Sequence, residues 1–133
     1  MRNLVFLLTL EVLAGCQPGE QASMDRPEEA AGADDMSMDP TVSDPEHYKV
    51  VFDNDQVRVL RISYGAGEEG KMHSHPASVA VFLADSDGAL TMADGSEQEM
   101  SVKMGDTMWA DAESHQPKAT TGFELVQVEL KGR

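Results

Sequence analysis

His73 and His75 stand one residue apart in the stretch Gly67-Glu68-Glu69-Gly70-Lys71-Met72-His73-Ser74-His75. In extended backbone, residues i and i+2 point to the same face. A strand through this stretch presents two imidazoles side by side, a spacing that suits one transition-metal ion. Two imidazoles alone leave such a site incomplete. The next histidine, His115, lies 40 residues beyond His75, ahead of the last strand-like run. The fold expected is one that carries residue 115 back to the first pair.

The chain from Tyr48 onward has the pattern of short strands and turns, with no convincing helical periodicity. Strands are expected over residues 48–53, 57–64, 78–84, 89–93, 97–102, 107–110, 115–120 and 123–131. Leu60, Ile62 and Tyr64 share one face of the second of these, with Arg58 heading the same row. The apolar run Ser-Val-Ala-Val-Phe-Leu-Ala at 78–84 is expected to be buried on both faces. Ser86-Asp87-Gly88 is expected to turn the chain. Asp94-Gly95, between two alternating segments, is a strong hairpin signal. Pro117 suits an edge or a bulge. In the last strand Phe123 and Leu125, and then Val126, Val128 and Leu130, are the apolar markers. Many short strands at regular spacing indicate a sandwich or a barrel. The 86 residues from Tyr48 to Arg133 make a small core, which a bound metal would help to stabilise.

Gly67, five residues, His73, one residue and His75 match the opening of the first cupin motif. Gly105-Asp106, a short strand with Trp109, and then His115 resemble the second. The resemblance covers residues 48–133. It implies a double-stranded β-helix, the cupin or jelly-roll barrel, with a metal inside one end held by His73, His75 and His115. Where the first motif carries a glutamate, this chain has Val79 and Ala80. Three neutral imidazoles then leave the 2+ charge of the metal uncompensated and supply no hard oxygen ligand. Among Zn, Fe, Ni, Cu and Mn, such a set favours the first four over Mn. Glu113, two residues from His115, is a candidate fourth ligand or a hydrogen-bond partner behind a ligand. Trp109 is expected in the core or at the pocket mouth. Met72, Met92, Met100, Met104 and Met108 are expected as core and pocket filler.

The formal charge is −14, from 24 acidic and 10 basic side chains. Phosphate binding needs a basic face, so nucleic acid is not an expected partner. Residues 17–47 hold nine acids and one base, and are rich in Pro, Gly, Ala and Ser without an aromatic residue. Such a segment buries too little apolar area to offset the entropy of ordering. It is expected as a disordered, self-repelling linker over 16–46, ahead of a barrel domain over 47–133. His47 at its edge is expected to be solvated, as are Glu68 and Glu69. Met36 and Met38 lack nearby His or Cys and make a poor metal site.

The first residues, Met-Arg-Asn-Leu-Val-Phe-Leu-Leu-Thr-Leu-Glu-Val-Leu-Ala-Gly-Cys, hold a positive start and a short apolar run. The run is shorter than the roughly 20 residues of a permanent membrane span. It has the layout of a signal peptide over 1–15. Leu13-Ala14-Gly15-Cys16 resembles the lipobox of bacterial lipoproteins. The resemblance implies that Cys16, the only cysteine, becomes the acylated first residue of the mature protein. Gln17 then favours the outer membrane by the same likeness. The expected location is the bacterial cell envelope, anchored by palmitate on Cys16 and facing the periplasm.

Three functions fit these residues. One is a metal-dependent enzyme acting on a small molecule through an open three-histidine site. The second is a non-catalytic module that binds a small ligand or metal. The third is a structural cupin module without metal, pairing as a homodimer through its sheet edges.

Overall fold

The computed structural model describes residues 36–132. The expected signal peptide, Cys16 and residues 17–35 of the expected linker lie outside the described residues. A 3-10 turn (Met36–Met38) and a four-residue helix, α1 (Pro40–Ser43), lead into nine strands. These are β1 (Tyr48–Asp53), β2 (Val57–Tyr64), β3 (His73–His75), β4 (Ser78–Phe82), β5 (Ser86–Met92), β6 (Glu97–Val102), β7 (Thr107–Ala110), β8 (Glu113–Ala119) and β9 (Phe123–Leu130). They form two antiparallel sheets, with strand orders β1-β2-β9-β4-β7 and β3-β8-β5-β6.

The β2–β9 ladder sets the interior. Its inward rows pair Tyr64 with Phe123, Ile62 with Leu125, Leu60 with Gln127 and Arg58 with Glu129. The ladder therefore grades from apolar at one end to charged at the other. Tyr48, Leu60, Ile62, Tyr64, Phe82, Phe123 and Leu125 form the buried cluster at the apolar end. The charged end is the one beside β3, because Glu129 bonds to His75.

Four expectations are corrected. The last strand turns Gln127 and Glu129 inward, 7% and 1% exposed; Val126 and Val128 take the other face. Residues 86–88 do not turn but open β5. Gly88 is required there because a Cβ would overlap Phe123 Cζ and the Lys118 carbonyl oxygen; the glycine marks a close approach. The segment 78–84 is shorter than expected, Ser78–Phe82, and buries Ser78 and Phe82 while its middle residues are only half-covered. The expected linker does not extend to residue 46. Asp39 caps α1, accepting from Thr41 N at 2.8 Å, and ion-pairs with Arg58 at 2.7 Å. Pro40 is buried, and Asp44 accepts from Tyr64 Oη at 2.7 Å.

The Asp94-Gly95 hairpin forms as expected. Gly95 takes φ +84° and donates to Met92 O at 2.9 Å. Asp94 Oδ1 accepts from Ser96 N at 2.9 Å, the side-chain turn that makes Asp common there.

Candidate metal centre

The three histidines meet through one strand pair and one neighbouring position. β3 and β8 are antiparallel, and their register sets His73 directly opposite His115. His75, two residues from His73, points to the same face. Ring centroids lie 4.7 Å apart for His73 and His75, 4.9 Å for His73 and His115, and 5.3 Å for His75 and His115. One ligand atom from each lies within 4.8 Å of the others. The burial is nearly complete: His73 is 0%, His75 4% and His115 9% exposed.

Hydrogen bonds decide which ring nitrogen faces the centre. His73 Nδ1 donates to Lys71 O at 2.7 Å, His75 Nδ1 to Glu129 Oε1 at 2.6 Å, and His115 Nδ1 to Glu113 Oε1 at 2.8 Å. All three acceptors are a carbonyl or a carboxylate oxygen. In the neutral ring Nδ1 therefore carries the proton in all three, and the Nε2 lone pairs turn toward the centre, that of His73 also within reach of the Tyr48 hydroxyl. Metal-ligating histidines carry this arrangement, with the second nitrogen donating to a carboxylate or a carbonyl. His75 Nε2 is buried and has no hydrogen-bond partner among the described residues. A buried acceptor left unpaired costs free energy, and a cation at that point would relieve it.

The electrostatics favour a neutral imidazole at His73 and at His115. Burial and the neighbouring His75 and His115 rings push His73 down to about 3. Burial and His75 lower His115. Burial would raise the Glu129 carboxyl, but hydrogen bonds from His75 and Arg58 outweigh it and hold the group below the usual carboxylate range. Glu129 was not singled out by the sequence pattern. It answers the charge deficit expected from Val79 and Ala80: Glu129 and Glu113 place two carboxylates directly behind the ligand set. Glu113 bonds the ring nitrogen that faces away from the centre, which is the supporting role and not that of a fourth ligand.

Tyr48 Oη lies 3.0 Å from His73 Nε2. Burial raises the phenol well above its ordinary value, so it stays protonated and donates. Beside the centre is a cavity of about 70 Å3, whose wall includes His115, Glu113, Gln127, Met100, Phe123 and Leu125. Trp109, by contrast, is 55% exposed and donates to Asp111 Oδ1 at 3.0 Å. It is neither core nor on the cavity wall.

His47 is not solvated as expected. Its ring stacks on Tyr64 at 4.0 Å and bonds Asp44 Oδ1 at 2.6 Å and Glu68 Oε2 at 3.2 Å. Gly70 passes so close that a Cβ would overlap Tyr64 Oη and meet Asp44 Oδ2 at 2.9 Å. Burial alone would lower His47, yet the bonds to Asp44 and Glu68 raise it above its ordinary value. A raised value means stability that is full below about pH 6.5, the unfolded value, and lost as pH rises through the folded one. Below that point the buried His73 and His115, both lowered, oppose folding as pH falls. In chelator-treated protein the melting temperature should therefore fall as pH rises above about 6.5. His47→Gln should flatten that descent; an equal descent in both proteins would remove His47 as its source.

The fold and site define a class. Solved cupin structures superpose on the chain. A cupin domain from Bordetella pertussis matches with TM-score 0.58 and 22% identity, over 64% of this chain and 92% of that one. A cupin superfamily protein from Desulfitobacterium hafniense matches with TM-score 0.51 and 16% identity, over 64% and 76%. A protein with a double-stranded β-helix domain from Klebsiella pneumoniae matches with TM-score 0.52 and 20% identity, over 65% and 76%. No family model and no curated protein matches the sequence. The chain has the cupin fold, a double-stranded β-helix, with three histidines gathered at one end of the barrel.

Proposed function

We propose that this chain binds one divalent transition metal through Nε2 of His73, His75 and His115, with coordination positions left for a small molecule. The observation that carries the reading is the buried, unpartnered Nε2 of His75. It sits in a set of three rings whose other nitrogens are all committed. Three imidazoles suit Zn, Fe, Ni or Cu better than Mn. Bound there, such a metal would supply Lewis acidity to a ligand oxygen or lower the pKa of water.

The chain's own residues do the rest. Lys71 O, Glu129 and Glu113 hold the Nδ1 protons and keep the rings aimed. Tyr48 offers a hydroxyl donor at the edge of the centre. Phe123, Leu125 and Met100 exclude water from the adjoining cavity. Among the described residues Glu113 is the one carboxylate on that cavity wall, and it places a proton acceptor there. That position favours, as a second reading, a metal-dependent enzyme acting on a small molecule. Turnover in oxygen-consumption, isomerase or hydrolase screens of metal-replete protein would support the enzyme. A ligand that raises the melting temperature without turnover would support simple binding. The metal centre itself is tested by elemental analysis of protein purified without chelator, which should carry about one equivalent of a transition metal.

The same proposal places the domain in the bacterial cell envelope, tethered by acylated Cys16. The support is the Leu-Ala-Gly-Cys sequence behind a short apolar run. Labelled palmitate should enter the wild type and not Cys16→Ser; equal labelling of the two would remove the anchor.

A further inference from the structure

The metal-site histidines are not supported only from within the barrel. Behind His75 a line of charge-assisted bonds runs out to the segment that precedes β1. His75 Nδ1 donates to Glu129 Oε1 at 2.6 Å. Arg58 Nε donates to the other oxygen, Oε2, at 2.6 Å. A second guanidinium nitrogen of Arg58 donates to Asp39 Oδ2 at 2.7 Å. The remaining oxygen of Asp39, Oδ1, accepts from Thr41 N at 2.8 Å and Thr41 Oγ1 at 2.6 Å, fixing the start of α1. Every oxygen of both carboxylates is used, and each carboxylate has one oxygen on Arg58.

Glu129 is 1% exposed; the side chains of Arg58 and Asp39 are each 19% exposed. Charges this sheltered are weakly screened, and a buried carboxylate that loses its partner carries a large penalty. The chain of bonds is also directional. Glu129 can hold the His75 ring at one angle only while Arg58 holds Glu129. Arg58, near the start of β2 and with its side chain 19% exposed, is in turn held by Asp39.

We infer that Asp39 and Arg58 are positioning residues of the metal centre, so that order in residues 36–44 and metal occupancy strengthen one another. The inference rests on the three-histidine metal reading above. Coupling between two binding or ordering equilibria is reciprocal. Metal on His75 should tighten the bond from its Nδ1–H to Glu129, and the gain should appear at α1 as protection of its amides. Conversely, loss of the Asp39 charge should appear at the far end as weaker metal binding. Supporting partners of ligating histidines are typically worth about 10- to 100-fold in affinity, and Asp39, two links away, is expected near the lower figure.

Asp39→Asn is the suitable variant, because Asn caps a helix about as well as Asp while the ion pair to Arg58 is lost. The full chain is used, with zinc alone as the probe. Two quantities are read: the zinc dissociation constant by chelator competition, and hydrogen exchange of the amides of Thr41, Val42, Ser43 and Asp44 with and without zinc. In the wild type, zinc should slow that exchange by about tenfold, and in Asp39→Asn the slowing should vanish while the dissociation constant rises about tenfold. Asp39→Glu, which retains the charge, should recover part of both effects. A general loss of stability would not mimic this result, because it would speed exchange equally with and without zinc. Wild type that binds zinc while the α1 amides exchange at an unchanged rate overturns the coupling and leaves the metal centre intact. Wild-type zinc affinity in Asp39→Asn overturns it likewise. Wild type that takes up no zinc overturns the metal centre and the coupling together.

Discussion

His75→Ala is expected to abolish stoichiometric metal binding. Wild type should carry about one equivalent and the variant less than about a tenth, both purified without chelator and confirmed folded by circular dichroism. The effect is large because the site has no spare donor. Glu113 and Glu129 each face an Nδ1 and not the centre, and Tyr48 Oη is a protonated phenol. Removing His75 leaves two imidazoles, too few to outcompete water and chelators. The substitution also takes away the hydrogen-bond donor of Glu129, but Arg58 still pairs with that carboxylate, so the barrel should survive. Metal content in His75→Ala equal to the wild type would place the metal elsewhere and end the three-histidine reading.

Glu129→Gln should produce the second largest effect, and in two separable quantities. The amide keeps the size of the side chain and an oxygen for His75 Nδ1, but gives Arg58 a neutral neighbour in a buried place. Breaking a buried pair by removing one partner costs about 3–5 kcal/mol, and the remaining bond from Arg58 to Asp39 puts the expected loss near 3 kcal/mol. In urea unfolding of metal-free protein this appears as a lower midpoint with an unchanged slope. Metal affinity should fall about 10- to 100-fold besides, since the ring of His75 loses a charged acceptor. A variant with wild-type midpoint and wild-type affinity would show that the Arg58–Glu129–His75 line carries neither function.

The β architecture was legible because alternation is a local signal. Val57–Tyr64 is bounded in the sequence as in the structure, and the Asp94-Gly95 hairpin follows from the turn chemistry of those two residues alone. The histidine triad was legible through spacing and through its likeness to cupin motifs. Glu129 was not. It lies between Val128 and Leu130, and in a strand whose outer face is more apolar than its inner one, hydrophobicity names the wrong face. Only the ladder with β2, which sets Arg58 opposite Glu129, makes an inward charge tolerable. The ordering of residues 36–46 was hidden for a related reason. Its composition is that of a linker, and what pins it is two aspartates whose partners, Arg58 and Tyr64, lie 19 and 20 residues away. Gly88 misled because glycine serves turns and close approaches alike, and only the position of Phe123 tells the two apart.

The graded ladder of β2 and β9 also bears on how errors in assembly are rejected. Because side chains alternate faces, sliding one strand past the other by a single residue would send its whole inward row to the outside. Here that row carries Leu60 and Arg58 on one strand, or Leu125 and Glu129 on the other. A misaligned molecule would forfeit its oily centre and its histidine support in the same stroke, leaving no half-working form to accumulate.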